Sequence, residues 1–295
     1  MANIALVTET LSHAAYTNTK TMLEGLGHTV TGYTSAAAVA ATLATFDLIA
    51  VVRAADNATY ADVVVAAFNM GVPVISGGNG AVPNGTNYVT SVPTRARLVA
   101  NMTNLDGQTQ MNALQADPIF TAAGITAPGN FTVYTSYSFS DSTLTTTNIA
   151  TGATSLTERT TAAGEKTAII ALGGSNNLSN NPFPANIAFV GFFYGATGYS
   201  AQGTNFIREV INTLLSSGYL LSGTVRDSSN NPLARKVRAY LRSSGSLITE
   251  KTSNASTGAF EMKVYQNEPF TLVCLDADGG TKNALVKDRV IPVAL

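Results

Sequence analysis

"VPVISGGNG", Val72–Gly80, is an apolar strand that runs straight into a cluster of glycines. In α/β proteins such a break is where phosphates are cradled or where a nucleophile is held on a sharp turn. Working outward, the residues before it repeat one unit. "NIALVTE" reads as a first strand. "YTNTKTMLEGLG" reads as a helix, with Met22, Leu23 and Leu26 at helical spacing and Gly27 as its C-terminal cap. "HTVTGYT" is a second strand, and "SAAAVAATLATF" a helix with Ser35 as N-cap and Val39, Leu43 and Phe46 on one side. "DLIAVV" is a third strand, apolar throughout, as when both faces of a sheet are covered. "NATYADVVVAAFNMG" presents Tyr60, Val63, Val64, Ala67 and Phe68 on one face and stops at Gly71. This β-α-β-α-β-α-β order predicts right-handed crossovers and an open, doubly wound parallel sheet, flavodoxin-like or Rossmann-like.

Further along the pattern loosens, then changes. "ARLVANMTNLDGQTQMNALQA" reads as helical in parts, and residues 131–160, rich in Thr, Ser and Tyr, as strands or a hairpin. "KTAIIALGG" and "NIAFVGFFY" are further strands. "TNFIREVINTLL" is the strongest helix, with Phe206, Ile207, Val210, Ile211, Leu214 and Leu215 in one stripe. After Tyr219 the period becomes two. "LLSGTVRD", "KVRAYLR", "SLITEKT", "AFEMKVY", "FTLVCLD" and "ALVKDRVIPV" are short strands separated by turns such as "SSNNP" and "NASTG". That spacing predicts an antiparallel sandwich. The expected architecture is an α/β flavodoxin-like open parallel sheet over residues 1–218, followed by a small all-β sandwich domain over 219–295.

Composition agrees with a boundary there. Residues 1–218 hold 7 Lys+Arg and 11 Asp+Glu, whereas 219–295 hold 10 and 7, so the front is acidic and the back basic. Charged residues are only 12% of the chain, about half the usual share. Its surface must therefore be coated with Thr, Ser, Asn, Ala and Gly. Neutral surfaces of this kind pack against neighbours with little desolvation of charge, as in virion and extracellular assemblies. A net charge of −1 argues against a dedicated nucleic-acid binder. No apolar run is long enough to predict a transmembrane helix, and "MANIALVTET" reads as a strand, not a signal peptide. One cysteine, Cys274, excludes an intrachain disulfide and is expected in a buried strand.

Two resemblances follow from particular residues. "SGTVRDSSNNPLARKVRAYLRSSGSLITEKTSNASTGAFEMKV" is similar to the carboxypeptidase regulatory-like (transthyretin-like) domains. With "NALVKDRVIPV" it resembles the form found in tailed-bacteriophage structural proteins. That resemblance implies a binding or spacer module without catalysis. The front resembles class I glutamine-amidotransferase-like domains, in particular the trehalose-utilisation-type group. It does so through its β/α alternation, "ADPIFTAAGI" and the ending "NIAFVGFFYG…TNFIREVINTLL".

An amidotransferase of that family needs a cysteine in G-x-C-x-G and a later histidine and glutamate. Ser76-Gly77-Gly78-Asn79-Gly80 stands at the elbow position, but Gly78 fills the nucleophile slot. Ser76 comes two residues early. His13 and His28 both precede the elbow, and His28 reads as a structural boundary residue. The phosphate-loop reading fails because no lysine follows Gly80. The dinucleotide fingerprint fails because "TETLSHAAYTN" holds no glycine. No cofactor or metal is expected; "DADGG" reads as a β-turn, lacking the ligand series of a calcium loop. The residues left as a candidate residual cleft are Glu9, His13, Arg53 and Asp56, at the carboxyl ends of strands one and three, together with Ser76. Phe193, Tyr194 and Tyr199 are either a buried strand entering a loop or a sugar-binding platform. Arg235, Lys236 and Arg238 are the candidate interface residues, with Lys236 and Arg238 on one strand face and Val237 and Ala239 opposite.

The expected role is a non-enzymatic structural component of a phage virion, in its tail, baseplate or capsid decoration. Its partners would be other virion proteins and copies of itself, with neither nucleic acid nor membrane insertion. The alternatives are a carbohydrate-binding host-attachment protein, which would contact a host surface glycan, and a hydrolase or transferase of unrecognised type.

Overall fold

The computed structural model describes residues 1–52, 58–77, 87–88, 92–100, 102–105, 109–135, 143–193, 198–216, 218–276 and 284–295. The chain forms two compact units, Met1–Phe68 with Val72–Ser216 and Asn69–Gly71 with Ser217–Leu295.

The chain begins with β1 (Asn3–Thr8), α1 (Ala14–Gly25), β2 (Thr29–Thr34), α2 (Ala40–Leu43), β3 (Leu48–Val51), α3 (Ala58–Asn69) and β4 (Val74–Gly77). There follow β5 (Asn87–Tyr88), α4 (Val92–Arg95), β6 (Met102–Leu105), β7 (Gln110–Ala113), α5 (Pro118–Ala123), β8 (Gly129–Thr132) and β9 (Thr143–Thr145). β10 (Ala153–Arg159), β11 (Ala162–Ala171), β12 (Ile187–Val190) and α6 (Ala201–Ser216) complete this part. A nine-stranded sheet has the order β2-β1-β3-β4-β12-β11-β10-β7-β8, and β5-β6-β9 form a small second sheet. The first five strands are parallel. Their order is that of flavodoxin-like sheets, with the direction of winding reversing between β1 and β3. The other four pair antiparallel. The sheet is therefore mixed, where the sequence predicts a parallel one. Parallel strands need crossover helices on both faces, and β3, β4 and β12 are buried along their whole length accordingly. Antiparallel neighbours need no crossover, and β10 and β11 are joined by a two-residue turn.

One core lies on the face covered by α1, α5 and α6. It joins Ile4, Leu6, Leu48, Ala50 and Ile75 of the strands to Leu23, Phe120, Phe206, Ile207, Val210, Ile211 and Leu214. The stripe predicted on α6 is buried from Phe206 to Leu214, while Leu215 is half-buried at its edge. α5 is set by its ends: Asp117 accepts from the Ile119 N–H at 2.9 Å, Pro118 opens the first turn, and Gly124 closes it at φ 69°. Gly27, after α1, takes φ 88° as a C-terminal cap should.

Two expected helices change. α2 starts at Ala40 rather than after Ser35, because the Ser35 N–H still bonds Thr8 O at 2.8 Å and so prolongs β2. Val39, expected on the buried side, is exposed, while Leu43 is buried. "ARLVANMTNLDGQTQMNALQA", expected helical in parts, begins just after α4 and yields β6 and β7, with no helix among its described residues. Met111 and Ala113 alternate with exposed or half-buried neighbours along β7, a period of two set by pairing with β8 and β10.

The second unit carries β13 (Tyr219–Thr224), β14 (Lys236–Leu241), β15 (Leu247–Thr252), β16 (Ala259–Val264), β17 (Phe270–Cys274), β18 (Leu285–Val290) and β19 (Val293–Ala294). They form a three-stranded sheet, β16-β13-β19, and a four-stranded sheet, β15-β14-β17-β18, antiparallel throughout. Leu221, Phe260, Met262 and Val264 of the first share one core with Val237, Ala239, Leu241, Phe270 and Leu272 of the second. Cys274 ends β17 half-buried, more exposed than predicted.

Candidate functional site

Open α/β sheets bind ligands beyond the carboxyl ends of their strands, where the winding reverses. Here that point lies above β1 and β3. Arg53 and Asp56, which follow β3, and Gly78–Gly80, which follow β4, lie outside the described residues, as does Tyr194. Thr8 ends β1 buried, its Oγ1 without a hydrogen-bond partner among the described residues, and Glu9 follows it exposed. His13 is the N-cap of α1: its Nδ1 accepts from the Ala15 N–H at 3.1 Å, and its carbonyl accepts from Thr17. A neutral imidazole with a lone pair on Nδ1 does here what Ser or Asp usually does at this position.

Ser76 sits elsewhere. It pairs in register with Val51 of β3 and Phe189 of β12, is fully buried, and its Oγ has no partner among the described residues. The register places it level with Val7, two residues short of Glu9, with β3 between. Two strand spacings and two residues of rise separate them by about 10 Å and about 7 Å respectively. No proton passes directly over that distance, since a base must lie within hydrogen-bond reach. Of the five cleft candidates, Glu9 and His13 share the loop after β1, and Ser76 does not join them.

Gly77 is the more informative residue. A Cβ built on it would collide with the backbone oxygen of Phe193. The chain leaving β12 therefore runs directly over the end of β4, and only glycine admits it. Phe193 is fully buried, as is Phe192, whose carbonyl accepts from the Tyr134 hydroxyl. Neither ring is a surface platform. Tyr199 differs: it is half-buried, and its ring lies 5.8 Å from that of Tyr134, tilted by 32°. It lines an open groove of about 410 Å³ with Asn18, Thr21, Met22, Leu26 and Thr204. Sequence reasoning missed the α1 wall of this groove. Its signal was Asn18 and Met22, one helical turn apart and beside the buried Thr19 and Leu23.

The remaining candidates serve local structure. His28 is half-buried, its Nδ1 without a partner among the described residues, and burial holds its imidazole below the ordinary histidine range. Lys236 and Arg238 both reach Glu250 on the neighbouring strand, each at 3.0 Å, while Arg235 stands 3.8 Å from Asp276. The Lys236 ammonium, and then Arg238, hold Glu250 below the usual carboxylate range. The basic face expected there is thus partly neutralised within its own sheet. Burial pushes the Cys274 thiol up, away from the thiolate a nucleophile needs. Among the described residues no three His, Cys, Asp or Glu gather as metal ligands, and no helix is long and apolar enough to cross a membrane.

No protein-family model matches the chain, and no curated protein is similar to it in sequence. Solved structures do resemble it. The cytoplasmic protein STM3548 of Salmonella typhimurium is 8% identical, over 72% of this chain and 98% of that one, with a TM-score of 0.45. A protein from Thermoplasma acidophilum assigned to GMP synthase is 13% identical, over 73% and 95%, at 0.47. A ThuA-like protein from Bacteroides uniformis is 9% identical, over 78% and 94%, at 0.48. Likeness at this level assigns no activity.

Proposed function

We propose that the protein is a non-enzymatic structural component of a tailed-phage virion, made in the host cytoplasm and acting by packing against other virion proteins and copies of itself. One observation carries the non-catalytic half of this reading. The end of β4, where an amidotransferase-like enzyme would hold its nucleophile, is closed by the Phe193 backbone over Gly77, and Ser76 is sealed between Val51 and Phe189. The transthyretin-like character of residues 219–295 and the neutral composition support the assembly half. Mass spectrometry and cryo-EM of purified particles test it. Expected is a fixed copy number, high for a lattice or decoration protein, three to about twelve for a tail or vertex fitting. Absence from particles would end the proposal.

A second reading, attachment to a host glycan, is favoured by the groove at Tyr199. Its lining is uncharged, with an aromatic ring, an amide and hydroxyls, the groups that suit a neutral sugar. A glycan array decides: no binding at millimolar sugar removes it.

A further inference from the structure

Leu285, Val286, Ile291, Val293 and Leu295 are each between 57% and 71% exposed. The other exposed aliphatics, such as Leu11, Val39, Leu172 and Leu247, are far apart in sequence. β18 is the edge of the four-stranded sheet and β19 the edge of the three-stranded one, with only Ile291 and Pro292 between them. Both sheets of the sandwich therefore end on one flank.

That flank is open in two respects. β19 pairs only with Tyr219 and Leu220, so residues 221–224 of β13 have no strand on that side among the described residues. Leu285 stands opposite Cys274, in line with the inward Phe270 and Leu272 of β17. It faces the core side of its sheet and is exposed there, with nothing laid over it among the described residues. Sheet edges of this kind accept an added strand.

The charge of the flank indicates which strand. Asp288 is held by Arg242 at 3.0 Å and by the Thr271 hydroxyl at 2.7 Å. Lys287 and Arg289 have no ion-pair partner among the described residues. The flank thus offers aliphatic surface and two cations. We propose that it docks an extended segment of another polypeptide in which aliphatic side chains alternate with Asp or Glu, laid down as an added strand. A second copy using the same edge would set these cations against each other. The bulge where Asp288 and Arg289 oppose Thr271, with Arg289 at φ 57°, also interrupts open-ended pairing between identical edges. The inference rests on the assembly reading only in taking the occupant to be a polypeptide.

The test titrates the full chain into a fluorescein-labelled octapeptide with Val at alternate positions and Glu between them. The same peptide with Lys for Glu runs in parallel, and light scattering follows the chain's mass. Expected is saturable binding of the Glu peptide, with the Lys peptide about tenfold weaker. Leu285→Asp weakens binding about tenfold, and so, separately, does Lys287→Glu with Arg289→Glu. All three positions are exposed, so unchanged melting confirms that the variants keep the fold. Equal binding of both peptides, or of neither, overturns the proposal. So does a concentration-dependent dimer abolished by Leu285→Asp, which would give the flank to a second copy. Particles carrying the Leu285→Asp chain at full copy number would remove the flank and leave the assembly reading standing. Glu-peptide binding by a chain absent from particles would keep the flank and remove the virion.

Discussion

The backbone oxygen of Phe193 occupies the space a Cβ on Gly77 would need. The glycine that ends the fourth strand is thus required by a neighbouring strand's exit. Gly77→Ala is expected to force the two chains apart, at about 1–3 kcal/mol. The urea midpoint measures it, and a value unchanged from the parent would mean the chains are not in contact.

Ser76 makes the complementary case. Its hydroxyl is buried without a partner among the described residues, so Ser76→Ala removes an unsatisfied group and leaves only a small void. The variant should match the parent or exceed it by up to about 1 kcal/mol. A loss of more than that would show a hydrogen bond, and so a role, that this geometry lacks.

His13 tests whether the histidine is a cap. His13→Ala should cost about 1 kcal/mol, and His13→Asn should recover most of it, because Asn supplies the same acceptor. Equal losses in both variants would point to a role for the ring itself.

Asn186 ties two elements together. It accepts from the Gly173 N–H at 2.8 Å and donates to Leu214 O, in the last turn of α6, at 2.9 Å. Asn186→Leu strands both partners in a buried site and should cost about 2–5 kcal/mol. Thermal unfolding of the two variants would rank Asn186→Leu well below His13→Ala.

For His28, burial lowers the folded pKa beneath that of the unfolded chain. The unfolded state then binds more protons between the two values. The stabilisation is complete above the ordinary histidine pKa and is lost as pH falls through it toward the folded value. Stability should therefore decline from pH 7.5 to about 5.5, and His28→Gln should flatten that decline. At Asp288 the Thr271 hydroxyl and then Arg242 bring the carboxyl down to about 2. Thr271→Val should raise it in an NMR titration.

What the sequence told and what it withheld divide along physical lines. β1, β3 and β4 were legible because parallel strands covered on both faces are short apolar runs, and β2, at the sheet edge, from its place after the helix that Gly27 ends. α6 was legible from its stripe. β6 and β7 were not, because "MTNL" and "QMNA" have neither a long apolar run nor β-branched weight, and their neighbours across the sheet decide their state. The missing nucleophile at the elbow could be read from residue types alone. The burial of Ser76 and the Phe193 contact depend on the pairing of β4 with β12, which lies far along the chain. Lys236 and Arg238 looked like a free basic face because Glu250 reaches them only through strand pairing.

The pairing of Val74 with Ile187 has a consequence for how the protein is made. About 110 residues must emerge from the ribosome after β4 before its outer edge can be covered, at roughly 5–20 residues per second. For some seconds a short strand destined for full burial waits with its outer edge unpaired. The rate of maturation should be governed by this long-range closure, and the interval before it is when the nascent chain is most open to joining the wrong partner.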